Sequence, residues 1–126
     1  MTSRIAVISV DAVNPSRVAE FWCAVLDWKL LASDATGADI GPPDGSWPRI
    51  EFGRVPEEKT VKNRLHLDLR ADRTTQTDEL RRLLDLGARA VDVGQASDST
   101  WFVLADPEGN EFCLLSRSVQ EVSETT

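Results

Sequence analysis

Hydrophobic and polar residues follow two similar series of predicted elements along the chain. The first series predicts a helix that begins after Asn14 and strands at about 4–11, 28–32, 37–41 and 47–54. The second series predicts a helix from Thr74 to Leu86 and strands at about 64–70, 89–93, 100–105 and 111–116. Each series therefore has the order strand, helix and three strands.

The two predicted helices carry apolar stripes with helical spacing. Asn14-Pro15 is a helix start, because Asn caps free N–H groups and Pro fits the first turn. The stripes consist of Val18, Phe21, Trp22, Val25 and Leu26 in the first helix and of Leu80, Leu83 and Leu84 in the second. A shift of 62 residues maps Val18, Phe21 and Trp22 onto the second stripe. Gly87 stands where a left-handed C-cap belongs.

This repetition predicts one domain of the α+β class, built from two paired βαβββ modules. Neither module can cover its own sheet, so the two sheets are expected to join and curl, with helices outside and a cleft within. The predicted boundaries are about 4–54 for the first module, 55–63 for a linker, 64–116 for the second module and 117–126 for a flexible tail.

The segment from Arg64 to Arg70 contains the only histidine of the chain. Its three leucines alternate with polar residues, which predicts a half-buried strand. The polar face carries Arg64, His66, Asp68 and Arg70, groups that bind ligands or metals. The competing interpretation is a structural histidine held by Asp68 or Arg64.

Composition excludes several classes of protein. The net charge is −7 and no basic stripe is present, so nucleic acid is not an expected partner. No apolar run is long enough for a membrane span, and the first residues lack the features of an export signal. The two cysteines, Cys23 and Cys113, suit a reducing compartment. We therefore expect a cytoplasmic protein without a membrane partner.

Four motifs in order resemble one known superfamily. They are Asn14-Pro15 leading to Phe21-Trp22 and Leu26-Asp27-Trp28, the segment from Val55 to Leu69 around His66, Leu86-Gly87-Ala88, and the turn from Asp106 to Cys113. Over about residues 4–116 the chain resembles the vicinal oxygen chelate superfamily of glyoxalases, bleomycin-resistance proteins and extradiol dioxygenases, in particular its glyoxalase-like subgroup. The resemblance implies a cupped, eight-stranded mixed sheet and a homodimer.

The resemblance also implies where metal ligands would lie, because metal-dependent members take them from the first, fourth, fifth and eighth strands. His66 matches the histidine of the fifth strand, and Glu51 is the candidate carboxylate of the fourth. The first strand offers only Arg4 or Ala6, and Cys113 replaces the glutamate of the eighth strand. The implied site for zinc, nickel, manganese or iron is therefore incomplete, with His66 and Glu51 as its candidate ligands and catalytic residues.

The other candidate ligand-binding residues also have structural interpretations. Arg49 and Glu51 share a strand face. They form either a polar wall of the cleft or a cross-strand ion pair that contributes little to stability. Trp47 and Trp101 stand at strand starts, where aromatic faces suit an organic ligand or pack in the core. Cys113 is either a small buried hydrophobe or a nucleophile.

The leading hypothesis is a protein that binds a small organic molecule in the cleft without a complete metal site. Its predicted lining is Trp47, Arg49, Glu51, His66, Asp68, Trp101 and Cys113. The alternative is a metal-dependent lyase, isomerase or dioxygenase of the glyoxalase type that uses His66 and Glu51. A third hypothesis is a metal-free enzyme in which His66 and Asp68 act as acid and base.

Overall fold

A computed structural model describes residues 1–91 and 100–124 of the chain. The chain divides into two compact units, Met1–Glu58 and Lys59–Thr126, which we call module one and module two. The division falls inside the predicted linker. Among the described residues, no helix has the length and apolar character that crossing a membrane requires.

Module one consists of one helix and a four-stranded mixed sheet. Its elements are β1 (Val7–Ala12), α1 (Pro15–Leu26), β2 (Lys29–Asp34), β3 (Gly37–Gly41) and β4 (Arg49–Arg54). The strand order is β1-β4-β3-β2; β1 runs parallel to β4, and the other neighbours are antiparallel. The first predicted series is thus present, although β1 begins three residues later than expected.

The α1 helix forms for the reasons that its sequence indicates. The side chain of Asn14 accepts a hydrogen bond from the backbone N–H of Arg17 at 3.3 Å, and Pro15 begins the helix. The apolar stripe is buried except for Leu26, which is half-buried. It covers a sheet whose inner residues alternate with exposed ones, as in Ile50 and Phe52 of β4.

Module two repeats this order with shorter strands. Its elements are β5 (Leu67–Leu69), α2 (Gln76–Leu86), β6 (Arg89–Ala90), β7 (Phe102–Ala105), β8 (Glu111–Leu114) and α3 (Val119–Glu124). The strand order is β5-β8-β7-β6, with β5 parallel to β8. The end of the strand predicted at 89–93 lies outside the described residues. The predicted α+β class with two βαβββ modules is confirmed, and each module has its own four-stranded mixed sheet.

The strand predicted at 64–70 is shorter than its leucine alternation indicates. Only Leu67–Leu69 form β5, because pairing with β8 begins at Leu67 opposite Phe112. Leu65 is 71% exposed, so its predicted burial on the core face is wrong. His66 therefore immediately precedes the paired part of the strand.

The apolar stripe of α2 also differs from the predicted one. Leu83 is fully buried, but Leu84 is 42% exposed and Leu80 is half-buried. The buried helical neighbour of Leu83 is instead Glu79, whose carboxylate accepts two hydrogen bonds from the Arg82 guanidinium at 2.7 and 2.8 Å. This charged pairing lets a carboxylate replace an apolar residue on the inner face.

Helix α3 is an element that the sequence analysis did not predict. Ser118 and Glu121 form a reciprocal capping box at its start, with hydrogen bonds of 2.9 and 3.1 Å. The backbone N–H of Val119 donates to the carbonyl of Ala71 at 2.8 Å, and Gln120 binds the Asp72 carboxylate at 2.6 Å. The helix is thereby attached to the loop that follows β5.

The adjacent leucines of α2 provide a test of this packing. We expect Leu83→Ala to lower the free energy of unfolding by about 2–5 kcal/mol, because it leaves a cavity in the core. The matched change Leu84→Ala should cost less than about 1 kcal/mol, since that side chain is largely solvated. Chemical denaturation of both variants measures the difference. Equal losses would contradict the burial pattern of α2.

Candidate functional site in module two

The pairing of β5 with β8 brings three chemically active side chains together. In the parallel register, Asp68 lies opposite Cys113. His66 precedes Asp68 by two residues, and alternate residues of an extended chain share a face. One ligand atom each from His66, Asp68 and Cys113 lies within 4.8 Å of the other two. We call these residues the His–Asp–Cys cluster.

The imidazole and the carboxylate of the cluster face solvent. The Nε2 atom of His66 lies 3.5 Å from Oδ1 of Asp68, and the two side chains are 45% and 49% exposed. A polar contact this exposed adds little to stability. Both groups are therefore accessible to a molecule that arrives from solvent.

Cys113 lies beneath this pair as a buried free thiol. Burial raises the pKa of the Cys113 thiol, and the negative charge of Asp68 and a hydrogen bond with it raise that pKa further. Lys62 opposes the shift. The thiol is consequently protonated near neutral pH, which argues against the nucleophile considered in the sequence analysis.

Glu111 lies on β8 two residues before Cys113 and was missed by the sequence analysis. Its carboxylate accepts hydrogen bonds from Nζ of Lys59 at 2.8 Å and from the backbone N–H of Asn63 at 3.0 Å. Burial alone would raise the pKa of Glu111, but these hydrogen bonds and the lysine charge outweigh burial and lower it. The sequence signal that could have identified Glu111 is its spacing of two residues from Cys113, which puts both side chains on the same face of the strand.

The turn between β7 and β8 is held by a buried carboxylate. Asp106 accepts hydrogen bonds from the backbone N–H groups of Glu108 and Asn110, each at 2.9 Å, and from the Asn110 side chain. Gly109 has a φ of 87°, a conformation that glycine adopts without steric cost. This turn sets where β8 begins and hence the position of Glu111.

Three of the remaining predicted site residues lie in module one. Trp47 is 50% exposed, and the Arg4 guanidinium lies 4.7 Å from its ring centroid. Arg49 is exposed and Glu51 half-buried on β4. Arg4 and Ala6, which the resemblance offered as first-strand ligands, precede β1.

Trp101 belongs to module two, where it directly precedes β7 and is 39% exposed. The structure thus brings together three of the predicted site residues, His66, Asp68 and Cys113. It stays a prediction that this cluster lines one cleft together with Trp47, Trp101, Arg49 and Glu51.

Module one contains a surface cavity of about 370 Å³ between α1 and β2. Its lining is formed by Ser16, Glu20, Cys23, Leu30 and Ser33. None of the predicted site residues is among them. Burial raises the pKa of the Cys23 thiol, so this cysteine also stays protonated near neutral pH.

The donor set of the His–Asp–Cys cluster fits a transition metal. Imidazole nitrogen, carboxylate oxygen and thiolate sulfur are all zinc ligands, and three protein ligands leave a position for water or substrate. The separations within the cluster allow the three donors to meet one ion. Binding requires loss of the thiol proton, so a metal competes with that proton.

Comparison with known proteins gives one family and many similar folds. A family model described as Glyoxalase-like domain matches residues 7–115. Curated proteins give no significant sequence match.

Among solved structures, the fosfomycin resistance protein FosX from Mesorhizobium loti is similar with a TM-score of 0.69 and 12% identity, covering 98% of this chain and 99% of that chain. A possible glyoxalase from Bacillus cereus has a TM-score of 0.67 and 13% identity, covering 90% of this chain and 99% of that chain. A third similar structure is a mutant FosX from Listeria monocytogenes, complexed with Mn(II) and 1S,2S-dihydroxypropylphosphonic acid. It has a TM-score of 0.66 and 8% identity, covering 100% of this chain and 99% of that chain. Identities this low establish the fold alone.

The influence of Asp68 on Cys113 is directly testable. We expect Asp68→Asn to lower the pKa of the Cys113 thiol, because it removes the charge that disfavours the thiolate. The pH dependence of alkylation by iodoacetamide, measured in a Cys23→Ser background, should shift to lower pH. Asp78→Asn, which removes an exposed carboxylate of α2, is the matched control and should leave the profile unchanged. An unaltered profile in Asp68→Asn would contradict the described contact.

Proposed function

The chain belongs to the glyoxalase-like domain family, and from this premise we propose that it binds a small organic molecule whose polar end is held by the His–Asp–Cys cluster. The observation that carries the proposal is the convergence of three donor atoms within 4.8 Å. His66 and Asp68 are accessible, so a ligand can reach them without opening the fold.

The chemistry of the cluster defines a class of ligand. A carboxylate such as that of Asp68 serves mainly as a hydrogen-bond acceptor, whereas an imidazole such as that of His66 can accept or donate. A molecule that satisfies both groups needs a donor and a second polar atom close together. Neighbouring hydroxyl groups, or a hydroxyl group beside a carbonyl, have this arrangement. The diol described in the Listeria relative supports this choice.

A second candidate function is a metal-dependent lyase, isomerase or dioxygenase of the glyoxalase type. The observation that favours it is the zinc-like donor set of the cluster. In this proposal Asp68 and Cys113 join His66 as ligands, and a bound ion would act as a Lewis acid that polarises a ligand oxygen. The Mn(II) complex of the similar Listeria protein supports the proposal of a metal site in a protein of this fold. Glu51 stays a predicted ligand from module one.

Two expectations from the sequence accompany both candidates. The resemblance implies a homodimer, and the composition favours the cytoplasm. Both stay predictions, to be tested by light scattering and by fractionation of cells. Neither candidate function depends on them.

Ligand binding can be followed at the only histidine of the chain. Catechol and 1S,2S-dihydroxypropylphosphonic acid are suitable probes, because both carry neighbouring oxygens. We expect each to shift the imidazole NMR signals of His66. Asp68→Asn should weaken binding about tenfold or more, since the hydrogen bond to a charged acceptor becomes a weaker one to a neutral amide.

Asp78→Asn is again the matched control and should retain the affinity of the unmodified protein. The affinities of Trp47→Ala and Trp101→Ala for the probes test whether these two rings line the binding cleft. A ring that lines the cleft should lower the affinity when it is removed. Equal affinity in Asp68→Asn and the unmodified protein would contradict the proposed anchor.

Metal binding is tested by elemental analysis of protein purified without chelator and by Zn²⁺ titration calorimetry. We expect His66→Ala and Cys113→Ser to lose most of the Zn²⁺ affinity. The affinity should also fall as pH falls, because the Cys113 thiol, with its raised pKa, must release a proton.

Glu51→Gln separates the two possible ligand sets. Unchanged Zn²⁺ affinity in this variant would place the ligands within module two, whereas a large loss would favour the ligand pair predicted from the resemblance. Absence of Zn²⁺ binding in the unmodified protein would exclude zinc at the cluster and leave the binding of the organic molecule as a separate question.

A further inference from the structure

His66 lies just outside the part of β5 that is fixed by strand pairing. The first paired residues are Leu67 and Phe112, so the ladder begins one residue after His66. Even so, the imidazole lies close to both Asp68 and Cys113. A second attachment, on the other side of His66, is needed to hold the chain in this position.

The carboxylate of Glu111 provides that attachment. One oxygen accepts a hydrogen bond from Nζ of Lys59 at 2.8 Å, and the other accepts one from the backbone N–H of Asn63 at 3.0 Å. The Glu111 and Lys59 side chains are only 11% and 20% exposed. Hydrogen bonds that involve an ionised partner are about twice as strong as neutral ones, and partial burial limits their screening.

Asn63 is held at a second point by the residue that precedes Glu111. Its side-chain Nδ2 donates to Oδ1 of Asn110 at 3.0 Å, and Asn110 in turn donates to the buried Asp106 carboxylate at 3.0 and 3.2 Å. The backbone and the side chain of Asn63 are therefore both tied to the turn that begins β8.

We infer that Glu111 is a positioning residue that holds His66 beside Cys113. Only residues 64–66 lie between the attachment of Asn63 to Glu111 and the pairing of Leu67 with Phe112. Because Glu111 and Phe112 are consecutive, this short segment is fixed at both ends to the same stretch of β8. The inference deepens the proposed function and rests on it, since it concerns the geometry of the same cluster.

A merely stabilising role for Glu111 makes a different prediction, and Glu79 is the matched control. The Glu79 carboxylate is equally shielded, with 11% of its side chain exposed, and it also pairs with a cation in module two. It lies on α2, outside the hydrogen-bond network described for Glu111. Loss of either ion pair should lower stability, but only loss of the Glu111 pair should move His66.

The test compares Glu111→Gln with Glu79→Gln by NMR of the free protein. We expect the unmodified protein and Glu79→Gln to show a nuclear Overhauser contact between the imidazole protons of His66 and the β-protons of Cys113. We expect Glu111→Gln to lose this contact and to shift the His66 imidazole signals. If Glu111→Gln fails to fold, Lys59→Met removes the cation of the pair at a more exposed position and should weaken the same contact.

A contact of full intensity in both Glu111→Gln and Lys59→Met would overturn the inference. The readout needs no ligand, so it remains informative if the probe molecules fail to bind. As a second measurement, Zn²⁺ affinity should fall about 10- to 100-fold in Glu111→Gln and stay unchanged in Glu79→Gln, as expected for a residue that orients a ligand. Equal Zn²⁺ affinities in the two variants would also count against the positioning role.

Discussion

The candidate site depends above all on the parallel register between two short strands. Asp68 lies opposite Cys113, and this single pairing brings together residues that are 45 positions apart in the chain. A slip of one residue would turn every side chain of one strand to the other face of the sheet. The ladder of β5 spans only three residue pairs, so its register needs support from side-chain contacts.

Asp106 and Glu111 provide that support, and they belong to a set of buried and half-buried carboxylates in module two that accept hydrogen bonds. Glu79 pairs with Arg82, Asp106 closes the turn before β8, and Glu111 ties down the segment before His66. An ionised group away from water is tolerated only where hydrogen bonds compensate for lost hydration. Module one relies instead on an apolar stripe and alternating strands. The two modules share one topology but achieve their local order by different means.

Much of the fold was predictable from sequence, because its local signals agree with the tertiary structure. Asn14-Pro15 marks the start of α1, and Gly87 ends α2 in a left-handed conformation as expected. The errors occur where tertiary contacts decide the outcome. The leucine alternation around His66 continues beyond the residues that pair with β8, and on α2 Glu79 is buried whereas Leu84 is exposed. Glu111 was missed because its partners lie 48 or more residues away.

The attachment of α3 has a practical consequence for handling the protein. Its first residues bind Ala71 and Asp72, in the loop that follows the strand carrying Asp68. Arg70 also donates to the carbonyl of Arg117, just before this helix. Shortening the chain before α3 therefore removes hydrogen bonds to the backbone next to the cluster.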